Sequence, residues 1–160
     1  MAYIFDTNIF IRSKNEMPME VWPTFWKRMA EMIDSSQVCS SIQVKAEIDR
    51  GNDELTTWIH ENAPDSFYCA IDKEVLAKYA EIQNWAQSNQ VFNSNAWQEF
   101  AIVADAYLVA TAAAKGLVLV TYETSDPNCK RRVKIPDACN AIGVRFCDLN
   151  TVLREMNITI

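Results

Sequence analysis

The chain contains one uninterrupted aliphatic run, Leu-Val-Leu-Val at positions 117–120, which is followed by Thr121. Four consecutive aliphatic residues without a charge are typical of a parallel strand that helices cover on both faces. Gly116 stands directly before the run, where a glycine usually ends the preceding helix. This stretch therefore predicts an α/β protein with a mostly parallel sheet.

Further strands and helices alternate on both sides of this run. Apolar runs predict strands at residues 3–5, 37–40, 117–121 and 144–147. Periodicity and capping residues predict helices from Pro23 onward, at 42–50 and at 53–61, with Gly51 ending the second of these. A further helix is predicted at 72–88, with Asp72 as its N-cap, and one long helix at 96–115, with Asn95 as its N-cap. A last helix is predicted from Asp148 through Leu153. We expect right-handed crossovers and a single domain over residues 1–160.

Length and composition are those of an ordinary globular protein. The 160 residues are 49% hydrophobic and 22% charged, which is the balance of a soluble domain. No run of 18 apolar residues occurs, so we expect no membrane span. The first residues lack a basic region and a small-residue cleavage site, so we expect a cytoplasmic protein without a secretory signal.

Several classes of site are excluded by the side chains. The cysteines number five, which is odd, and no two of them have Cys-x-x-Cys spacing, so we expect reduced thiols. Because His60 is the single histidine, we expect neither a zinc site nor a Ser-His-Asp triad. No glycine-rich turn follows the first strand and no P-loop occurs, which argues against nucleotide-binding folds. A net charge of −6 argues against binding nucleic acid by bulk positive charge, but phosphates can also be met through bound metal ions.

Three acids stand where a charge is costly. Asp6 is the only charged residue in positions 1–11, Asp105 is the only one in positions 100–114, and Glu123 comes two residues after the predicted strand 117–121. If the strands before Asp6 and Glu123 are neighbours, both acids lie at the carboxyl edge of the sheet, and the intervening helix can bring Asp105 beside them. Such a cluster repels itself strongly, and Mg²⁺ or Mn²⁺ would remove the repulsion.

Each acid taken alone has a simpler explanation. Asp6 begins the sequence Asp-Thr-Asn, which is typical of turns, and could only cap the next segment. Asp105 could be a structural acid that accepts hydrogen bonds inside the core. Glu47 lies in a polar stretch and would by itself indicate a solvated helix face.

Four segments in order resemble the PIN-domain family. They are Tyr-Ile-Phe-Asp-Thr-Asn at 3–8, Val-Lys-Ala-Glu-Ile at 44–48, Ala-Asp-Ala-Tyr-Leu-Val-Ala at 104–110 and Leu-Val-Thr-Tyr-Glu at 119–123. The segments at 25–26 and 133–139 resemble a bacterial PIN subfamily catalogued mainly as a domain of unknown function. The resemblance implies a single three-layer domain in which helices flank a mostly parallel central sheet.

The resemblance also implies a site. Asp6, Glu47 and Asp105 match the three acids that hold the metal, and Glu123 stands where many relatives have an aspartate as the fourth acid. We therefore expect these four residues to be catalytic and to bind Mg²⁺ or Mn²⁺. Three further residues match or neighbour supporting positions, namely Asn8, Thr121 and Asp126, the last being an alternative source of the fourth acid.

The activity implied by the resemblance is metal-dependent cleavage of RNA, often by the toxin of a type II toxin–antitoxin pair. The partners expected are therefore RNA and a protein antitoxin, with a homodimer as a weaker expectation. Four cations within five positions follow the expected site, namely Lys130, Arg131, Arg132 and Lys134. We expect this basic segment to contact the RNA backbone, although a solvated basic loop would have the same sequence.

Two other functions remain open at the level of the sequence. A phosphohydrolase with an aspartyl nucleophile would need a second aspartate two residues after Asp6, and position 8 is Asn8. A non-catalytic binding module of the same fold would be expected to have lost its acids, whereas Asp6, Glu47 and Asp105 are all present.

Overall fold

The computed structural model describes residues 2–160, so Met1, the first residue of the predicted domain, lies outside the described residues. Five parallel strands form one sheet in the order β3-β2-β1-β4-β5. The strands are β1 (Tyr3–Phe5), β2 (Val38–Ser41), β3 (Tyr68–Cys69), β4 (Val118–Val120) and β5 (Phe146–Cys147). The predicted α/β class with a parallel sheet is confirmed, and β3 is a strand that the sequence pattern did not indicate.

Helices connect all successive strands. They are α1 (Thr7–Glu16), α2 (Pro23–Asp34), α3 (Ile42–Gly51), α4 (Glu54–Asn62), α5 (Lys73–Ser88), α6 (Ser94–Ile102), α7 (Ala104–Lys115), α8 (Ile135–Ile142) and α9 (Leu149–Glu155). A single 3₁₀ turn, Asp65–Phe67, precedes β3. The helices α1 and α8 were not predicted, because the Asp-Thr-Asn sequence favoured a turn and the segment before α8 is basic and irregular.

The strand order creates a switch point between β1 and β4. The chain runs from β1 outward to β2 and β3 in one direction, and from β4 to β5 in the other. Phe5 pairs with Val120, so both strands end at the same level. The residues that follow β1 and β4 therefore emerge side by side, which is where ligands bind in open parallel sheets.

The core covers both faces of this central strand pair. Ile4, Phe5, Leu119 and Val120 are all fully buried, and α7 packs against α5 and α8 on the sheet. Full burial of one such side chain stabilises the fold by about 1.5–3 kcal/mol. The prediction that residues 117–121 form a central covered strand is confirmed, with regular pairing confined to β4.

The predicted long helix at 96–115 is wrong. The N-cap of α6 is Asn93 and not the predicted Asn95, because the Asn93 side chain accepts a hydrogen bond from the Ala96 amide. The helical stretch is then interrupted at Val103. Val103 has an extended backbone with φ −93° and ψ 163°, a conformation that suits a β-branched residue. The interruption starts α7 anew at Ala104, so Asp105 lies in a first helical turn instead of the middle of a helix.

A second difference concerns the end of α3. Gly51 is the last helical residue, and the left-handed residue is Asn52, with φ 44°. Asparagine tolerates this conformation better than most residues, because its short amide hydrogen-bonds locally. The helix therefore ends one residue later than the glycine indicated.

The remaining composition-based expectations concern thiols and membrane helices. All five cysteines are free thiols, and Cys39 and Cys139 are buried while the other three are partly exposed. Within residues 2–160, no helix combines the length and apolar character needed to cross a bilayer.

Candidate metal and nuclease site

An acidic cavity of about 420 Å³ opens at the carboxyl edge of the sheet. Elements from distant parts of the sequence form its walls: the start of α1, the middle of α3, and the region around the α6–α7 break. Its lining contains the acids Asp6, Glu47, Glu99 and Asp105, the cations Arg50 and Arg132, and the uncharged residues Thr7, Asn8, Ile11, Ala96, Phe100, Val103 and Val133.

Asp6 forms the floor of the acidic cavity. It follows β1 directly, its amide donates to the Val120 carbonyl over 3.0 Å, and only 1% of its surface is exposed. The Thr121 hydroxyl donates to Oδ2 of Asp6 over 2.9 Å. Burial raises the pKa of Asp6 to about 7, and the negative charge of Asp105 adds to this shift.

Asp105 faces Asp6 from the first turn of α7. Burial, together with the charges of Glu123 and Glu47, raises the pKa of Asp105 to about 6 against the opposing effect of the Arg132 guanidinium. The carboxylate lies near the amino end of a helix, where the helix dipole favours negative charge. The repulsion between acids far apart in the sequence is therefore a property of the folded cavity.

Glu47 reaches the acidic cavity from α3. That helix begins immediately after β2, with the Ser41 hydroxyl capping the Val44 amide, so its second turn lies at the carboxyl edge of the sheet. The Thr7 hydroxyl donates to Oε2 of Glu47 over 2.5 Å. The structure thus places Glu47 on the cavity wall, away from the solvated face that its polar neighbours suggested.

Glu123 lies beside the acidic cavity without lining it, and two donors hold its carboxylate. Its Oε1 lies 2.5 Å from Nη2 of Arg132, and its Oε2 accepts the Ile135 amide over 2.9 Å. The Glu123 amide in turn donates to the Thr121 hydroxyl over 3.1 Å. Only 10% of the Glu123 side chain is exposed, so the carboxylate is fixed and not free in solvent.

Two of the three predicted supporting residues lie at the acids, and the third does not. Thr121 contacts Asp6 directly, and Asn8 lines the acidic cavity. Asp126 is exposed and does not line the cavity; its carboxylate accepts the Asn128 amide and its own amide donates to Asp137. Glu123 does not line the cavity either, but it shares Arg132 with Asp105, and its charge acts on both Asp6 and Asp105. Glu123, and not Asp126, therefore lies with the other acids.

Of the four cations in the basic segment, only Arg132 belongs to the cavity lining. Arg132 lines the acidic cavity and pairs with its acids. Lys130 and Arg131 are exposed, Lys134 is half-buried before α8, and none of the three is ion-paired within the described part of the chain. These three cations remain available for a phosphate backbone beside the cavity.

Three polar residues of the cavity lining, Thr7, Arg50 and Glu99, were not predicted from the sequence. Arg50 follows Glu47 by three positions, which places both on one face of a helix, and this spacing could have indicated it. Thr7 and Glu99 carry no such signal, because only the tertiary structure brings α1 against α3 and α6 against the cavity.

The donor set of the cavity fits a hard divalent cation. Carboxylate oxygens are the preferred ligands of Mg²⁺ and Mn²⁺. The pKa values of Asp6 and Asp105 are raised mainly by burial and in part by the neighbouring acids, and a cation would relieve both effects. Among residues 2–160, no three acidic, histidine or cysteine side chains are already grouped as a metal cage. Binding of one ion by three or more of these acids would therefore require their side chains to move closer together.

Comparison with known proteins supports the fold. The chain is similar to VapBC2 from Rickettsia felis bound to a DNA fragment from their promoter, with 14% identity, coverage of 92% of this chain and 98% of that chain, and a TM-score of 0.58. It is also similar to VapBC-1 from nontypeable Haemophilus influenzae, with 14% identity, 92% and 98% coverage and a TM-score of 0.54. For FitAcB from Neisseria gonorrhoeae the values are 22% identity, 90% and 95% coverage and a TM-score of 0.51.

At these low identities the likeness establishes the fold, and the predicted PIN-like fold is confirmed. No curated protein sequence matches the chain. One family model, described as a domain of unknown function and named DUF4411, matches residues 3–160. Because the match spans nearly the whole chain, this protein belongs to the DUF4411 family.

Proposed function

We propose that this protein is a Mg²⁺- or Mn²⁺-dependent ribonuclease that hydrolyses phosphodiester bonds. The observation that carries the proposal is the convergence of Asp6, Glu47, Asp105 and Glu123 at the switch point between β1 and β4. A divalent ion held there supplies a more acidic water and neutralises charge on the departing oxygen. The single histidine of the chain is consistent with this chemistry, which requires no histidine base.

The side chains of the cavity have distinct tasks in this proposal. Asp6 and Asp105 would hold the ion, and their burial would strengthen their interaction with a cation. Glu47 on the cavity wall and Glu123 beside the cavity would complete the donor set, and Thr121 orients Asp6 through its hydroxyl. Lys130, Arg131 and Lys134 position the RNA backbone at the mouth of the cavity.

A role as the toxin of a toxin–antitoxin pair is part of the same proposal. It is supported by the PIN-like fold shared with VapBC2 and FitAcB and by the four acids that gather at the carboxyl edge of the sheet. The antitoxin would be a protein that covers the acidic cavity. A homodimer and a cytoplasmic location remain predictions.

The direct test is a cleavage assay with Asp6→Asn and Asp105→Asn. Each variant removes one negative charge from the cavity without changing side-chain volume. Glu61→Gln is the matched control, because Glu61 is exposed on α4 and does not line the cavity. Structured RNA, single-stranded RNA and single-stranded DNA are incubated with Mg²⁺, Mn²⁺ or EDTA.

We expect both aspartate variants to lose cleavage by at least about a hundredfold, as removal of a group that stabilises developing charge typically does. Glu61→Gln should cleave like the native protein, and EDTA should abolish cleavage by both of these proteins. Full activity of Asp6→Asn and Asp105→Asn would refute the site. Cleavage of DNA in preference to RNA would refute the substrate class.

A further inference from the structure

Arg132 is the only cation within residues 2–160 that is ion-paired with two of the four candidate metal ligands, Asp105 and Glu123. Its Nη2 lies 2.5 Å from Oε1 of Glu123 and 3.7 Å from Oδ2 of Asp105. These two carboxylates come from different elements, the connection after β4 and the first turn of α7. The guanidinium therefore bridges two of the acids proposed to hold the metal.

The bridging guanidinium is accessible, whereas the acids that it bridges are not. Half of the Arg132 side chain is exposed, but only 10% of Glu123 and 17% of Asp105. The adjacent Val133 is buried and lines the same cavity, so the backbone at this point is anchored. The Arg132 side chain can therefore swing outward without unpacking the core.

The bridge affects the acids as metal ligands. A carboxylate oxygen that accepts a hydrogen bond from a guanidinium has less charge and fewer free lone pairs with which to bind an ion. Oε2 of Glu123 is already engaged by the Ile135 amide, so both oxygens of this acid are occupied. The other cation of the cavity, Arg50, forms no ion pair in the described part of the chain and does not compete in this way.

We propose that Arg132 is an internal counter-ion that competes with the divalent cation for Glu123 and Asp105. The inference rests on the proposed function, because it assigns the same acids to the metal. In the metal-free protein Arg132 neutralises part of the crowded charge. When the ion binds, the guanidinium is displaced to the mouth of the cavity, where an RNA phosphate becomes its partner.

The experiment is a Mn²⁺ titration by calorimetry at pH 8, with the native protein, Arg132→Gln and Arg131→Gln. Arg131→Gln is the matched control, because it removes the same charge one position away from a side chain with no ion pair in residues 2–160. Arg132→Lys is a further variant that keeps the charge but reaches only one carboxylate at a time. Thermal unfolding in EDTA is recorded for all four proteins.

We expect Arg132→Gln to bind Mn²⁺ at least about threefold more tightly than the native protein, which is the scale of a half-exposed ion pair. Arg132→Lys should lie between them, and Arg131→Gln should match the native protein. In EDTA, Arg132→Gln should melt at a lower temperature than Arg131→Gln, because the acids lose their counter-ion.

The outcomes separate this inference from the proposed function. Equal or weaker Mn²⁺ binding by Arg132→Gln, with clear binding by the native protein, would overturn the competition and leave the metal site intact. Absence of binding in every variant would overturn both. Binding by Arg132→Gln where the native protein binds nothing measurable would support the competition strongly.

Discussion

The hydroxyl of Thr121 donates to Oδ2 of Asp6 over 2.9 Å, and this bond joins residues 115 positions apart. It connects the ends of the two central strands and fixes the orientation of the most buried acid in the cavity. The oxygen of the same hydroxyl accepts a hydrogen bond from the backbone amide of Glu123. One threonine thus sets the relative position of two of the four acids.

Replacing this threonine should destabilise the protein in a pH-dependent way. Thr121→Val keeps the shape of the side chain but leaves the ionised Asp6 carboxylate without its donor. We expect a loss of about 1–3 kcal/mol of unfolding free energy at pH 8, measured by urea denaturation in EDTA. The loss should be smaller at pH 5, where Asp6 is protonated.

The matched control is Thr111→Val on α7. Thr111 is buried as well, but its hydroxyl donates to the Tyr107 carbonyl of its own helix over 2.7 Å. No carboxylate is involved, so its effect should not change between pH 5 and pH 8. Equal pH dependence of both variants would contradict the role given to the Thr121–Asp6 bond.

The metal-free protein should become less stable as the pH rises from 5 to 8. The folded-state pKa values of Asp6 and Asp105, about 7 and about 6, lie above the ordinary aspartate value. The folded state therefore holds these protons more tightly than the unfolded chain does. The stability gained is fully present below about pH 4 and is lost as the pH passes through the raised pKa values, with a total change on the order of a few kcal/mol.

This pH dependence has its own control in Asp105→Asn, measured in EDTA. At pH 8 the variant should be at least as stable as the native protein, because one of the repelling charges is gone. Its stability should also vary less between pH 5 and pH 8. Asp34→Asn, at the exposed end of α2, should leave the native pH dependence intact. A less stable Asp105→Asn would indicate that Asp105 supports the fold instead.

The remaining cations of the basic segment should control RNA affinity. Replacing Lys130, Arg131 and Lys134 together by alanine should weaken RNA binding in EDTA. It should also reduce the slope of the logarithm of affinity against the logarithm of salt concentration by up to about 2, since each lost phosphate contact contributes about 0.7. The measurement is fluorescence anisotropy of a labelled single-stranded RNA over a series of salt concentrations.

An equal change of net charge elsewhere provides the control for RNA binding. Lys27, Lys73 and Arg154 are exposed and do not line the acidic cavity. If their joint replacement by alanine weakens RNA binding as much as the basic-segment variant does, the segment has no local role and only overall charge matters.

Much of the architecture could be predicted from local sequence. The aliphatic run at 117–120 and the apolar residues 3–5 predict central strands because only covered strands tolerate such runs. The N-caps Asp72 and Asp148 were predicted correctly, since capping depends on contacts two or three residues away. The break at Val103 was not predicted, because Ala, Asp and Tyr continue a helical pattern across it and only packing decides where the chain turns.

The sequence by itself determined that lone acids follow apolar strands and that their types suit a divalent ion. Tertiary structure decided the rest: that β1 and β4 are neighbours, that Thr7 meets Glu47, and that Arg132 reaches Glu123 and Asp105. The physical reason is how far apart in the sequence the interacting residues lie. Strand formation and capping depend on neighbouring residues, whereas the charge of a cavity depends on side chains that meet only when distant segments pack together.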